Sequence, residues 1–324
     1  NKNEGQRLFN NSKKKFLNDK KNINFLAMRL LFEGDFKNGW KYYDRGAIKS
    51  DHLFQNIKEW NGENVEKKHI VVFNEQGLGD AIQFSKYINP LLKISKKVTF
   101  VVKHNIKHIF NHDITNLEII TPDLARNLKF DFKIALGSLL KFFYMKNIKS
   151  NSLIINNKDK IKNLDSIKLH KNKLNVGLSW SGSFNGPNEP YRSIQLDILK
   201  KIFSLDCEFF CLQKDLWDRD KKYFEDSKIN YLGDNNFLEI AAIIENLDLV
   251  ISTDTSILHL SSSLEKLTWG LISFNPDWRW WKYNRPPFYN NLIEYKQKKF
   301  DDWDNVLNTV YDDLKKLKSK VTHY

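Results

Sequence analysis

Apolar side chains recur at one spacing near the start of the chain and at another spacing beyond it. In the first 60 residues Phe25, Met28, Leu31 and Phe32 fall at the helical spacing i, i+3, i+6 and i+7. Gly34–Asp35 predicts the end of one helix and the cap of the next. From His69 onward, short apolar runs alternate with amphipathic helical segments. Alternating strands and helices predict a parallel, doubly wound α/β architecture.

The strand-like runs form two series, which predicts two domains. The first series is HIVVFN, KVTFVV, LEII, FDFKIAL and LIIN, and the second is LNVGLSW, CEFFCLQ, INYLG, LDLVIST and TWGLIS. A Lys- and Asn-rich stretch at 156–172 is typical of a linker between them. We therefore expect a helical segment at 1–62, an N-terminal Rossmann-like domain at 63–165 and a C-terminal Rossmann-like domain at 166–300. A last amphipathic helix at 301–324 is expected to pack back on the N-terminal lobe.

The first helical segment carries a spacing typical of tetratricopeptide repeats. Gly39, Tyr43 and Gly46 stand where that repeat places a small, an aromatic and a small residue. One repeat cannot bury its own face, so it must pack on the following domain, on further repeats or on a protein partner. A plain helical hairpin explains this segment almost equally well.

Composition narrows the function classes. The 324 residues are 41% hydrophobic, and no apolar run is long enough to span a bilayer, which argues against a disordered, collagenous or membrane-spanning chain. The formal charge is +13, but 44 of the 52 basic residues are Lys and are spread over every segment, so we expect no specific nucleic-acid partner. Two cysteines, Cys207 and Cys211, indicate a reducing compartment. We expect a cytoplasmic protein, with the inner face of the membrane as an alternative.

Three strand-to-helix loops carry candidate chemistry. In EQGLGDAIQF, Gly77 and Gly79 permit a sharp turn at the carboxyl end of a strand, and Asp80 begins a helix. In LDLVISTDTSILHLSSSL, the hydroxyls and amides of residues 253–256 gather at a helix N-terminus, which favours a phosphate. In GLSWSGSFNGPNEPYRSIQL, Arg192 can clamp that phosphate. Each loop taken alone is also explained by helix capping or solvent exposure.

Two Asp-x-Asp triplets and an aromatic run are further candidates for a metal site or a ligand contact. Residues 218–220 lie in a charged stretch that indicates a solvated helix, and residues 302–304 lie where the last helix begins, so neither triplet predicts a metal site. The run DWRWWKYNRPPFY is expected to pack at the junction with the N-terminal lobe, although its rings can also stack on a sugar or base. Within it, Arg279 can pair with Asp277 or reach into a cleft.

The order of these motifs resembles a known enzyme group. GDFKNGW, EQGLGDAIQFSKY, VGLSWSGS with YRS, a strand ending in LQ, LDLVISTDTSILHL and DWRW occur between about Phe25 and Lys298. This series resembles bacterial tetratricopeptide-linked glycosyltransferases, which are similar to the heptosyltransferase family (glycosyltransferase family 9) and more distantly to protein O-GlcNAc transferases. The resemblance implies an α/β GT-B fold, in which two Rossmann-like domains face a cleft.

The resemblance also implies the site residues. Asp80 matches the Gly-Asp of the heptosyltransferase N-terminal loop and would act as general base, with Glu75 in reserve. Ser256 stands where that family usually has Gly, which bears on how closely a phosphate can approach. The residues expected to bind the donor are Gly79, Ser181, Gly182, Arg192, Gln213, Thr253, Asp254, Thr255, Ser256 and His259.

The implied reaction is an inverting transfer that needs neither a metal nor a cofactor. The donor would be a nucleotide sugar, UDP-, GDP- or ADP-linked, and the acceptor a hydroxyl of a glycan or a protein. Two other classes stay open. One is a transferase fold that has lost turnover and binds protein partners through the helical segment. The other is nucleic-acid binding through the positive charge, which tight, salt-dependent binding to random oligonucleotides would favour.

Overall fold

Two parallel β-sheets organise the chain. The computed structural model describes residues 7, 23–43, 52–144, 153–154, 169–183, 189–280 and 288–321. The first sheet has the order β3-β2-β1-β4 and the second the order β10-β9-β8-β5-β6-β7, with every pairing parallel. The strands are β1 His69–Phe73, β2 Lys97–Val101, β3 Leu117–Ile120, β4 Phe132–Ala135, β5 Asn175–Ser179, β6 Glu208–Cys211, β7 Ile229–Tyr231, β8 Leu249–Thr253, β9 Thr268–Ile272 and β10 Leu292–Lys296.

We call the first sheet with its helices the N-terminal lobe and the second the C-terminal lobe. The α-helices in the described ranges are α1 Ile23–Phe32, α2 Phe36–Tyr42, α3 Leu78–Phe84, α4 Ile88–Leu92, α5 Pro122–Ala125, α6 Leu140–Phe143, α7 Glu189–Arg192, α8 Asp218–Glu225, α9 Phe237–Asn246, α10 Ser256–Ser263 and α11 Trp303–Val321. Short 3-10 turns include His104–Ile109, Leu196–Ser204 and Trp278–Trp280.

The central strands lie in the core of each lobe. β8 and β9 are buried at every position, and the registers place Val72 of β1 between Phe100 and Ile134. Strands of a parallel sheet are covered on both faces, so they are apolar almost without interruption. The prediction of two parallel α/β units is therefore confirmed, with two changes at the ends of the series.

The first change is β10, which the sequence pattern did not reveal. It is an edge strand beside β9 and is only partly buried, so its sequence LIEYK lacks a continuous apolar run. The second change concerns the run LIIN. Ile154 makes a single antiparallel bridge to Phe110 outside the sheet, and the rest of the run, like most of the predicted linker, lies outside the described residues.

The N-terminal helices are built into the N-terminal lobe. Asp35 caps α2, as predicted, by accepting a hydrogen bond from the amide of Asn38 at 3.2 Å. Gly39 lies against α1, because a side-chain carbon there would come within 2.6 Å of Leu31. Tyr43 and Trp40 join the apolar core of the first sheet. The segment therefore packs on the following domain, whereas Gly46 lies outside the described residues and the repeat assignment stays a prediction.

The segment that reaches the N-terminal lobe is the aromatic run, not the last helix. α11 packs against the 3-10 turn Leu196–Ser204 and β10, and its apolar face joins the core of the C-terminal sheet. The expectation that this helix returns to the N-terminal lobe was wrong, because an amphipathic stripe does not specify which sheet covers it. Trp278 instead packs on the N-terminal lobe, edge-on to Trp40 with 5.2 Å between ring centres.

Membrane insertion by a helix has no support in the described part of the chain. None of its helices combines the length and the apolar character that crossing a bilayer requires.

Candidate active site

The loops predicted to carry chemistry meet where the lobes touch. α3 follows β1 and α10 follows β8, and the two helices pack against each other at their N-terminal ends. A side-chain carbon at Gly79 would lie 2.8 Å from Cδ2 of His259 and 3.5 Å from Cα of Ser256. Glycine at position 79 therefore allows the N-terminal loop to approach the Ser256 end of α10.

Asp80 is held from both lobes. Its Oδ2 accepts a hydrogen bond from the amide of Gly77 at 3.0 Å, and its Oδ1 accepts one from Nη2 of Arg279 at 2.7 Å. Burial alone would raise the pKa of Asp80, but the charge and hydrogen bond of Arg279, with the charge of His259, lower it below the ordinary value. Asp80 is therefore an oriented carboxylate at neutral pH.

Asp254 is paired within its own lobe. Its Oδ1 lies 3.5 Å from Nε2 of His259, whose Nδ1 lies 3.2 Å from the hydroxyl of Tyr289. The ring of Trp280 stacks on the imidazole with 5.7 Å between ring centres. Burial acts to raise the pKa of Asp254, but hydrogen bonding and charge from His259, with the charge of Arg279, bring it to about 2.

Arg192 reaches the loop that precedes α10, as its predicted role as a phosphate clamp requires. Its Nη1 donates a hydrogen bond to the carbonyl of Asp254 at 3.1 Å. Hydroxyls line the same loop, with Oγ1 of Thr255 lying 3.1 Å from Oγ of Ser252, while Oγ1 of Thr253 donates to the carbonyl of Ser179. A guanidinium, several hydroxyls and a helix N-terminus thus gather at one edge of the second sheet.

Gln213 shapes the neighbouring loop. Its Oε1 accepts hydrogen bonds from the amides of Trp180 and Ser181, and its Nε2 donates to Oγ of Ser181 at 3.1 Å. The amide of Gly182 donates to Oγ of Ser193 at 3.3 Å. Because both ends of the Gln213 side chain bond to the chain itself, the geometry favours a role for Gln213 in positioning Ser181 and Gly182.

Glu75 lies deeper in the N-terminal lobe. Its Oε1 accepts hydrogen bonds from the amide of Gly137 and from Nε2 of Gln76, while its Oε2 is buried with no hydrogen-bond partner among the described residues. Burial raises the pKa of Glu75, and the charge of Asp80 adds to that effect. Nε2 of Gln76 also donates to the hydroxyl of Tyr43, which connects the helical segment to this loop.

The Asp-x-Asp triplets serve structural roles. Asp220 is fully buried and accepts hydrogen bonds from the indole of Trp180 and the amide of Leu196, so this part of α8 is not a solvated face. Asp302 accepts from the amide and side chain of Asn305 at the start of α11, as a capping residue does. Across the described ranges no three His, Cys, Asp or Glu side chains are grouped to hold a metal ion.

Arg279 was only loosely placed by sequence reasoning. The sequence allowed Arg279 either to pair with Asp277 or to reach into a cleft, and it makes both kinds of contact. Its Nε donates to Asp277 at 2.8 Å, and its other nitrogens reach Asp80 and Gln83 of α3. Burial alone would lower the pKa of Arg279, but the charges of Asp277, Asp80 and Asp254 raise it. Gln83, Trp280 and Tyr289 were given no individual role from the sequence. Gln83 lies in the loop EQGLGDAIQF, and the aromatic run DWRWWKYNRPPFY contains Trp280 and Tyr289.

Comparison with solved structures identifies the fold. No protein-family model matches the chain, and no curated protein matches it significantly in sequence. The structure is similar to a glycosyl transferase family 9 protein from Veillonella parvula, at 12% identity and TM-score 0.51, covering 81% of this chain and 97% of that one. It is also similar to the E. coli ADP-heptose lipopolysaccharide heptosyltransferase II, at 8% identity and TM-score 0.51, covering 77% and 99%.

A third similar structure is the E. coli heptosyltransferase WaaC with ADP, at 10% identity and TM-score 0.50, covering 76% of this chain and 99% of that one. These likenesses, with the two parallel sheets, show that the chain has the GT-B fold that its motifs implied. At such low sequence identity, these similarities support an assignment of the fold but not of the activity.

Proposed function

We propose that the chain is a nucleotide-sugar glycosyltransferase that moves a sugar to an acceptor hydroxyl with inversion at the anomeric carbon. One observation carries the proposal. Asp80 of the N-terminal lobe lies at the contact between α3 and α10, and α10 begins beside the loop that Arg192 reaches. A base and a diphosphate-binding edge therefore stand on opposite sides of one junction.

The donor would bind to the C-terminal lobe. The amides at the start of α10 and the guanidinium of Arg192 would stabilise the negative charge that grows on the departing nucleoside diphosphate, without a metal. Arg192 would exchange its bond to the Asp254 carbonyl for a phosphate oxygen. Asp254, held ionised beside His259, would accept hydrogen bonds from sugar hydroxyls.

Asp80 would take the proton of the acceptor. As the acceptor oxygen bonds to the anomeric carbon, the bond from that carbon to the diphosphate breaks and the hydroxyl proton passes to Asp80. One displacement inverts the configuration. Glu75 is the weaker candidate, because its raised pKa favours the protonated form and its carboxyl lies among buried groups of the N-terminal lobe.

One observation favours a second candidate, a GT-B protein without turnover. The ion pair with Arg279 lowers the pKa of Asp80, and a carboxylate with a lower pKa is a weaker base. In that case the site would bind a nucleotide and release no sugar, and a protein partner would bind the face of the helical segment that does not pack on the N-terminal lobe, where Phe25 is exposed.

A donor panel separates the two candidates. Melting temperature is measured with UDP-, GDP- and ADP-linked sugars, ADP-linked ones first because a similar structure holds ADP. Release of nucleoside diphosphate from the stabilising donor is then followed with and without glycan and protein acceptors. The enzyme proposal expects release that Asp80→Asn abolishes. Stabilisation without any release would support the second candidate, and no stabilisation by any donor would contradict both.

A further inference from the structure

The turn Asp277–Trp280, which we call the DWRW turn, fixes one lobe against the other. Trp278 packs on the N-terminal lobe, in an apolar cluster that continues into the C-terminal lobe, with its ring edge-on to Trp40 at 5.2 Å and to Tyr144 at 6.4 Å between ring centres. Trp280, two residues later, packs in a cluster with Leu258 and Ile272 of the C-terminal lobe. The two indoles therefore anchor the same short turn in different lobes.

Arg279 stands between the two indoles and binds across the junction. Its Nη1 donates to Oε1 of Gln83 at 2.8 Å, its Nη2 donates to Oδ1 of Asp80 at 2.7 Å, and its Nε donates to Asp277 at 2.8 Å. Its side chain is only 10% exposed, and its guanidinium lies 5.2 Å from the ring centre of Phe84. A planar guanidinium with each nitrogen engaged has one orientation, which it passes to the carboxylate it binds.

We infer that the DWRW turn is an interlobe clasp whose Arg279 is a positioning residue for Asp80, so that this carboxylate is correctly oriented only while the lobes are docked. The inference rests on the proposed function only where it calls Asp80 the base. The same turn also reaches the donor side, because Trp280 stacks on the imidazole of His259, the partner of Asp254. The clasp thus links the two carboxylates of the junction.

The clasp predicts how Asp80 titrates. Arg279 supplies the main opposing charge, so its loss should raise the proton affinity of Asp80 by about 10-fold or more. The charged and titratable groups that act on Asp80 are Arg279 on the DWRW turn, His259 on α10, Glu75 on the preceding loop and Tyr289 before β10. Asp277 and Asp254 act on Arg279.

The experiment uses the whole chain labelled with carbon-13 at Asp carboxyl groups and needs no substrate. The Asp80 signal is assigned from its absence in Asp80→Asn, and its titration is compared between the parent protein and Arg279→Gln. We expect the midpoint to move to higher pH and the amide of Gly77 to exchange with solvent faster. Arg192→Gln, which removes the neighbouring arginine, should leave the Asp80 midpoint in place.

An unmoved Asp80 midpoint in folded Arg279→Gln would overturn the inference. If that variant does not fold, Arg279→Lys keeps the positive charge but lacks the planar guanidinium that binds Asp80 and Gln83 together. The clasp then predicts that hydrogen exchange at Gly77 still accelerates, and unchanged exchange would count against it. Because neither readout involves transfer, a shifted midpoint in a protein without turnover would refute the proposed base and leave the clasp intact.

Discussion

The loop before α3 and the loop before α10 use the same architecture for different chemistry. Each follows a parallel strand, begins a helix and contains a partly buried aspartate whose pKa is lowered. The partner of Asp254 is His259, in the first turn of the helix that follows it, whereas the partner of Asp80 is Arg279, 199 residues away in sequence. The proposed donor side is therefore complete within one lobe, while the position of the proposed base depends on both.

The two loops also differ in the ligands they can hold. The C-terminal loop presents hydroxyls, Arg192 and the N-terminus of the eight-residue helix α10, which suit a phosphate. The N-terminal loop presents the ionised carboxylate of Asp80, which repels a phosphate, and the carboxyl of Glu75, whose raised pKa favours the protonated form. This contrast predicts that variants of the two loops separate binding from chemistry.

The largest expected effect follows Asp80→Asn. The amide keeps the shape but cannot take the acceptor proton, so transfer should fall by about 10²- to 10⁴-fold. The donor dissociation constant should stay within a few-fold, because donor contacts come from the other lobe. Initial rates with calorimetric binding measure both. Full transferase activity in this variant would show that Asp80 is not the general base.

Arg192→Gln should show the reverse pattern. Loss of a charge-assisted hydrogen bond to phosphate weakens binding by about 1.5–3 kcal/mol, or roughly 10- to 150-fold in the dissociation constant of a nucleoside diphosphate. Lys214→Gln removes one positive charge from an exposed position of the same lobe and serves as the matched control. If both variants weaken nucleotide binding equally, the effect of Arg192 comes from the overall positive charge of the lobe and not from a specific contact with the phosphate.

Gly79→Ala tests the contact between the loops. The added carbon would lie 2.8 Å from the imidazole of His259, so the helices must separate or the ring must move. Overpacking of this kind costs about 1–3 kcal/mol of unfolding free energy. Chemical denaturation measures that loss. Unchanged stability together with unchanged donor binding would show that the lobes do not need this close approach.

Acid should remove the stability that Asp254 of the C-terminal loop contributes to the folded protein, within a defined pH range. The folded protein holds the pKa of Asp254 at about 2, below the ordinary value of 3.8. The resulting stabilisation, about 2 kcal/mol, is present above the ordinary value and is lost as the pH falls through about 2. Unfolding free energies between pH 5 and pH 2 should therefore fall less steeply in Asp254→Asn. Identical slopes would contradict the His259 pairing.

The smallest effect is expected from Glu75→Gln. Burial favours the protonated form of Glu75, so the parent protein loses stability as the pH rises through the ordinary pKa of Glu, and the amide variant does not. At neutral pH the variant should be within about 1 kcal/mol of the parent or more stable, with transfer retained. If the variant folds normally but loses transfer, the general base would be Glu75 and not Asp80.

Much of the fold could be read from the sequence because central parallel strands are uniformly apolar. β8 and β9 are buried at every position, and their runs were visible without a structure. β10 was not visible, since at the sheet edge its charged Glu294 and Lys296 interrupt the pattern. The destination of α11 was also hidden, because its apolar stripe fits either lobe.

The site could be predicted only where its residues are close in sequence. Asp254 and His259 lie in one motif, and a capping pattern placed Asp80 at the start of α3. The contact of Arg279 with Asp80 depends on two tryptophans that pack in different apolar clusters, and neither spacing nor composition encodes that choice. The clasp therefore could not be predicted from the sequence.

A crystal structure with the nucleoside diphosphate that stabilises the protein would show whether the two loops have the roles proposed for them. We expect the diphosphate at the N-terminal end of α10, with Arg192 released from the Asp254 carbonyl and bonded to a phosphate oxygen. Asp80 should remain on Arg279 and face the position from which the sugar would extend. A nucleotide bound away from α10, or an Arg192 that makes no phosphate contact, would contradict the account.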